Sequence, residues 1–579
     1  MIQDDKQVYV YRKDISGGIN NRMNGNIIGE NQSTVLLNAD IDTPGESSKR
    51  RGTTVLDAPD DSKRGYGMAG FEPDGGTNQL VWVAGTTLDA ITDLSKTDGT
   101  AARIASGDVP DTGFTDGHQT VLLKVWKSGG DGSVLLISNG TDNVHEMKQD
   151  YTVTDIGGDS TDPPKTTAMT FYRGILFALK DNSLYFSTAY PSDFDGAISA
   201  TTFKVNCGAE RFVMGVRDMG LIIGGKDSIW GLNPSATPVA TDKLEKILDL
   251  GCAAGKTAVQ GADDVYFLAY DGVRGLFRTQ QDKLQATQAQ PLSFPIKEEV
   301  ESLNWAHVNS ATNQACGVWF NNKYLIAVPV DSSTFNNEVW VYYPAQQGWM
   351  VITGWNVGAW ATINYNGEER LYYIDSTTDR IHRAFSGYND SLRTFTASQT
   401  TTVITSTVGA FEAGDVGKII VWANGSESII SSYTDSTHVV STVSETKASQ
   451  ACYIGYINYQ EEGRKEDLGQ PLIKKCGGEV KIKALSSGDY DVGVYASIDD
   501  GGYTSLGTMN LISGAPTLPA TLPFSLAAPT VLEEQFHLDG LGEWSTIRLK
   551  LRHNNTNGSD DIRIYERQIV TFPQEYYSE

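Results

Sequence analysis

The heptapeptide Gly251-Cys252-Ala253-Ala254-Gly255-Lys256-Thr257 is the stretch of this sequence nearest to a chemical motif. A phosphate-binding loop puts four residues between its glycines and opens a helix whose N-terminus faces the phosphates. Here three residues intervene, and Leu250 stands where the first glycine belongs. The run that follows, Val265–Leu268, reads as a strand, so the heptapeptide is read as a turn between strands. Asp193-Phe194-Asp195-Gly196 and Asp499-Asp500-Gly501-Gly502 offer oxygens of the kind Ca²⁺ takes. Neither continues to the downstream Glu of an EF-hand loop, and turn carboxylates are the expectation.

The other reactive side chains are scattered. The histidines stand at 118, 145, 307, 382, 438, 537 and 553, so no HxH or HExxH metal pattern exists. Cysteines 207, 252, 316, 452 and 476 form no CxxC pair and read as buried thiols of a protein made in a reducing compartment. No G-x-S-x-G element supplies a serine nucleophile. Glycoside hydrolysis needs two carboxyls facing each other across a cleft, and 71 acidic residues allow any pair to be nominated. Trp319, Trp340, Trp349, Trp355 and Trp360 could stack on sugars, but such aromatics are more often core packing. No catalytic, cofactor or metal site is expected.

The charge agrees with that reading. With 46 basic and 71 acidic residues the net charge is −25, and no polybasic tract exists to neutralise phosphates. The densest basic runs are Lys49-Arg50-Arg51 and Lys474-Lys475. The opening MIQDDKQVYV lacks the pattern of a signal peptide, and no apolar run is long enough to span a membrane.

The elements that must position these residues are short strands. Between 168 and 232 one pattern occurs twice: a bulky run, a tight polar turn, then an aromatic-bearing run. Ile175–Leu179 leads through Asp181-Asn182-Ser183 to Leu184-Tyr185-Phe186. Leu221–Ile223 leads through Lys226-Asp227-Ser228 to Ile229-Trp230. Such hairpin units, recurring every ~40–50 residues, mark a β-propeller. Similar units extend from about Gly65 to Phe385, and six or seven blades are expected. Asp242–Leu250 and Ile296–Leu303 are read as possible short helical turns.

Four regions follow: a loop-rich β arm at 1–60, the propeller at 61–388, a small inserted β module at 389–460, and a β-sandwich-like domain at 461–579. The module is marked by a Ser/Thr-rich run and the hairpin dipeptide Asn424-Gly425. In the last region, strands are expected at Val480–Leu485, Tyr490–Ile498, Leu506–Leu511, Trp544–His553 and Asp561–Val570. An extended loop is expected around Pro516, Pro519, Pro523 and Pro529. The fold class is thus all-β.

The arm holds the most distinctive spacing. Ser16-Gly17-Gly18-Ile19-Asn20 is followed by Leu37-Asn38-Ala39-Asp40 and then by Arg50-Arg51-Gly52. Paired glycines permit a sharp reversal, and Asn and Asp suit turns capped by side chains. This order resembles the opening of the tail nozzle or hub proteins of short-tailed bacteriophages, of the tail tubular protein B and packaged-DNA stabilisation types. The matching positions are Gly17, Gly18, Asn20, Asn38, Asp40, Arg51 and Gly52. The phrases Leu184-Tyr-Phe-Ser, Asp227-Ser-Ile-Trp-Gly-Leu and Val265-Tyr-Phe-Leu-Ala-Tyr-Asp-Gly-Val-Arg resemble that family's blades, so the likeness covers about residues 10–385.

The resemblance implies a non-enzymatic virion protein assembled in the host cytoplasm. It implies a ring of copies, usually six, as a nozzle through which DNA is retained and then ejected. Its partners would be the portal–adaptor ring, tail fibres or spikes, and DNA sliding through an acidic lumen without tight binding. The alternative is a propeller that binds glycans as an adhesin, or a polysaccharide depolymerase of the tail.

Overall fold

The computed structural model describes residues 8–12, 14–57, 63–104, 114–130, 132–216, 219–239, 242–284, 290–391, 393–424, 426–485, 491–511, 531–553 and 562–573. The chain is all-β and built of many small sheets, in a β-propeller followed by a two-sheet region. The loop expected around Pro516–Pro529 and the glycine of the expected Asn424-Gly425 turn lie outside the described residues.

Among the described residues, seven sheets follow one another around a ring. Their first strands are Gly65–Phe71, Val121–Trp126, Met169–Tyr172, Glu210–Val216, Val259–Gln260, Cys316–Phe320 and Val357–Tyr365. Consecutive first strands touch, with the short 3₁₀ turn Gly255–Thr257 completing the fifth position, and the last meets the first.

The sequence pattern explains the stacking. In Ile175–Lys180, side chains alternate between two faces and both faces are buried. Ile175, Phe177 and Leu179 join Val213, Leu221 and Ile223 of the next sheet. Leu176 and Ala178 turn the other way, to Val134 and Leu136 of the preceding one. The same alternation sends Ile222 to Val265 and Phe267, one sheet further on. Apolar layers therefore lie between blades, which is why these strands read as near-continuous apolar runs.

Closure uses the N-terminal segment. Thr53–Asp57 pairs antiparallel with Ile381–Ala384 and becomes the fourth strand of the last sheet. Asp98–Ala101 adds a fifth strand parallel to it. Arg103 latches this edge. Its guanidinium bonds Asp57 (2.7 Å) and Asp379 (2.6 Å) and lies 3.6 Å from Asp89.

The rest of the segment crosses into the C-terminal region. Gln32–Leu37 lies between the sixth propeller sheet and the strand Tyr459–Gly463, so one sheet of ten strands runs through both. Val8–Arg12 pairs with Arg563–Pro573, and Ser47–Lys49 pairs with the same strand. The sequence reads 1–60 as one arm; the structure divides its strands among the last blade and both sheets of the C-terminal region.

The chain at Arg393–Ile454 forms its own rolled sheet. His438–Ile454 pairs with Arg393–Ser406, Ile419–Trp422 and Glu427–Asp435 around a separate core of Phe395, Phe411, Trp422 and Cys452.

Helix is sparse. Of the possible helical turns, Lys297–Glu301 is a short helix, whereas Leu244–Leu248 is the outer strand of the fourth sheet. The run Leu276-Phe277-Arg278, strand-like in sequence, opens the helix Leu276–Leu284. Its start is set by Asp264, whose carboxylate accepts the Phe277 and Arg278 amides. Among the described residues no helix is long and apolar enough to cross a membrane.

Candidate functional site

The motif residues gather where the propeller, the module and the C-terminal region meet. Asn38 is 1% exposed and holds a left-handed backbone at φ 54°. Asparagine tolerates that conformation better than other residues bearing a Cβ. Its amide donates to Val351 O (2.8 Å), on the last strand of the sixth sheet. Its Nδ2 donates to Thr353 Oγ1 (2.9 Å) and to Asn458 O (2.8 Å). Its Oδ1 accepts from the Thr353 amide (3.1 Å) and from Arg50 Nε (2.7 Å). The side chain thus uses both its donors and its acceptor.

Arg50 completes the clasp. It is 1% exposed, and its guanidinium forks onto Asp390, Nη1 to Oδ1 at 2.9 Å and Nη2 to Oδ2 at 2.6 Å. Remaining donors reach the carbonyls of Arg51 and Thr353. Trp355 lies 4.7 Å below the guanidinium and donates its indole N–H to Asp390 Oδ1 (2.9 Å). A buried ion pair is tolerable only with its other polar atoms satisfied, and here they are.

The other motif positions serve the same junction. Gly18 has φ 68°, and a Cβ there would lie 2.3 Å from the Trp349 amide nitrogen. Gly17 needs no special φ; its amide donates to Asn31 O. Asn20 bonds Ser33 O through its amide and Gln32 Oε1 through Nδ2. Asp40 takes Lys323 at 3.2 Å and the Tyr343 hydroxyl at 3.0 Å. Arg51 lies 4.1 Å over the Tyr388 ring. A Cβ on Gly52 would lie 2.0 Å from Asn389 O. Sequence reasoning named these residues but missed Arg50, Thr353, Asp390 and Asn458. Arg50 alone had a signal, the basic run at 49–51; the other three had none.

The residues considered for chemistry are spent on structure. Lys256 Nζ donates to Tyr66 O (3.0 Å), Gln119 Oε1 (2.7 Å) and Thr120 O (2.8 Å). It reaches from the fifth position of the ring across to the first and second sheets, and burial pulls its ammonium down to about 8. Gln119 in turn bonds Ala311 O and Thr312 O. These contacts tie the fifth position of the ring to its first and second sheets. Asp499 accepts the amides of Ser545 and Thr546, and Asp500 pairs with Lys465. Asp193 faces Lys127 at 3.5 Å. Among the described residues no group of three or more His, Cys, Asp or Glu is arranged to hold a metal.

The tryptophan cluster is core. Trp340, Trp349 and Trp355 are fully buried, and Trp349 Nε1 donates to Leu292 O. Trp319 stacks on Tyr266 with the rings 5.7 Å apart. Burial raises the thiols of Cys207 and Cys252 to about 11 and that of Cys316 to about 12, so none is a ready nucleophile.

No protein-family model matches the chain, and no curated protein matches it. Among solved structures it is similar to the extracellular domain of a protein described as a one component system from B. thetaiotaomicron. There identity is 9%, the TM-score is 0.37, and the match covers 75% of this chain and 59% of the other. It is also similar to an exo-β-1,3-galactanase from Phanerochaete chrysosporium, at 8% identity and TM-score 0.25, over 90% of this chain and 100% of that one. The chain thus spans 59% of the length of the first of these. Scores this low bear on neither activity nor ligand.

Proposed function

We propose that this chain is a structural subunit of a short-tailed phage tail: the nozzle or hub ring that retains DNA and later lets it pass. The observation that supports this most is the clasp itself. Of the positions shared with the family's opening motif, Asn38 ties Thr353 of the sixth sheet to Asn458, and beside it Arg50, outside the matched positions, pairs with Asp390. A motif used for architecture suits a part that transmits force rather than one that turns over substrate. Strands from both ends of the sequence pair with each other, which suits resistance to pulling.

In this reading the ring is homomeric, six copies being the family's usual number, with contacts to the portal–adaptor ring and to fibres or spikes. The Lys256 contacts, which tie the fifth position of the propeller to its first and second sheets, suit a conduit between copies rather than through one propeller. The net charge of −25 suits a lining that phosphates do not grip. The protein is made in the host cytoplasm and ends in the virion tail, without enzymatic activity.

Native mass spectrometry and negative-stain imaging test this, on the chain alone and mixed with portal–adaptor assemblies. Closed rings with an open lumen are expected, in isolation or on the adaptor. A chain that stays monomeric at high concentration and ignores the adaptor overturns the reading.

A further inference from the structure

An open cleft of about 330 Å³ lies between the helix Leu276–Leu284 and the turn that joins the last two strands of the sixth sheet. Arg278, Asp282, Leu292, Phe294, Tyr342 and Gln347 are among its walls. That volume is at the lower end of small-ligand sites and holds one or two sugar rings.

Its Leu292–Pro295 wall is fixed before any ligand arrives. Trp349 Nε1 donates to the Leu292 carbonyl (2.9 Å), and the Leu292 amide donates to Val273 O (2.7 Å). Pro291 and Pro295 restrict the segment between them. The Asn21 amide donates to Pro295 O (3.1 Å). The sharp reversal at Gly18 brings this stretch against the wall, and Arg22 lies over Phe294 with Cζ 3.1 Å from the ring centroid.

The charge is what makes the cleft unusual in so acidic a chain. Arg278 is exposed, and its guanidinium lies beside the buried Tyr342 hydroxyl. Among the described residues no carboxylate pairs with the guanidinium of Arg278 or of Arg22. Most other arginines here are engaged with acids, as Arg50, Arg103, Arg274 and Arg567 are. The Arg278 guanidinium, without a carboxylate partner and beside apolar walls, suits a ligand with one carboxylate and an apolar face. Asp282, Gln290 and Gln347 add acceptors and amide donors for hydroxyls. The single acid disfavours a ligand charged on every side.

We propose that this cleft binds an acidic sugar, a hexuronate or sialic acid residue of a surface polysaccharide. Its carboxylate sits on Arg278 beside Tyr342. Its C–H face packs on Leu292, Pro291 and the edge of Phe294, and its hydroxyls meet Asp282 and the two glutamines. A compact concavity with fixed walls suits a sugar better than an acidic peptide, which is ordinarily taken along a sheet edge or an extended groove. The site does not depend on ring formation, so it stands or falls apart from the proposed tail role.

The test is an NMR titration of the full chain with D-glucuronate, N-acetylneuraminate, D-glucose and a Glu-rich decapeptide. The expected result is millimolar binding of at least one acidic sugar, with glucose at least tenfold weaker. Arg278→Gln should weaken acidic-sugar binding at least tenfold and leave the melting temperature unchanged, since its side chain is exposed. Equal binding of glucose, no binding of either acidic sugar, or undiminished binding by Arg278→Gln overturns the proposal. Tighter binding of the decapeptide than of either sugar overturns it in favour of an acidic protein partner.

Discussion

The amide of Asp390 donates to the carbonyl of Gly455 at 2.7 Å. The rolled module therefore leaves and re-enters the body of the protein at one point, and Arg393 pairs with Ile454 just beyond it. Replacing residues 393–454 with a short Gly/Ser linker should leave the propeller folded, because the two ends need no spanning distance. Some stability should be lost, since Glu427 bonds Arg552 and Arg380 pairs with Glu412. Circular dichroism and a urea titration of the excised chain check this; an insoluble product contradicts it.

Breaking the clasp should cost far more. Arg50→Leu leaves Asp390 buried without its counter-charge, and Asp390→Leu does the same to Arg50. Each should destabilise the chain by about 3–5 kcal/mol. The double variant should lose less than the sum of the two, because neither charge is then stranded. Denaturant midpoints of the three variants give the coupling.

Gly18→Ala and Gly52→Ala should each cost more than about 2 kcal/mol. The first combines a left-handed backbone with a contact on the Trp349 amide, and the second drives a methyl into Asn389 O. Gly17→Ala should be milder, since the atoms nearest its added Cβ belong to Asn31 at 2.8 Å and no positive φ is involved. The same denaturant titration ranks them.

Stability should also depend on pH through Asp57. Burial raises its carboxyl to about 6, with Arg103 opposing the rise. Because the folded value lies above the unfolded one, the protonated form favours folding. That contribution is complete below pH ~4 and is lost as pH rises through about 6, amounting to at most about 3 kcal/mol. The stability of the native chain relative to Asp57→Asn should therefore fall between pH 4.5 and 7.5. A difference that stays flat or rises over that interval refutes it.

Duplex DNA should not bind at physiological salt. Binding needs clustered Lys and Arg to displace counterions, and here acids exceed bases by 25. Fluorescence anisotropy with a short duplex at two salt concentrations measures this. Tight binding with a steep salt slope would replace the sliding conduit with a clamp.

What was legible in the sequence was local. Asp181-Asn182-Ser183 announced a hairpin turn, and Ile175–Lys180 with Ser183–Phe186 pair around it. Short apolar runs parted by polar turns announced the hairpins of a propeller, but not which sheet each face would pack on. What was not legible was any partner far along the chain. Arg50 and Asp390 are 340 positions apart, and Asn38 and Asn458 are 420 apart, so no periodicity links them. The helix Leu276–Leu284 was hidden because its first residues are apolar and follow a strand directly; only the Asp264 cap distinguishes it. The cleft was equally hidden, since Arg278 and Gln347 come together only through the fold.

The pairing of Val8–Arg12 with Arg563–Pro573 also fixes an order of events on the ribosome. Val8–Arg12 has no strand partner until Arg563–Pro573 has been made, and one edge of Gln32–Leu37 likewise waits for Tyr459–Gly463. The inner blades can condense during synthesis, because their hairpins are local. The N-terminal strands meanwhile stay exposed, with unpaired edges that invite chaperones or misassociation. Closing such long loops comes late and slowly. Refolding from denaturant should therefore show a slow final phase in which Val8–Arg12 meets Arg563–Pro573, so ribosome-bound nascent chains truncated before Arg563 should remain protease-sensitive around Val8–Arg12.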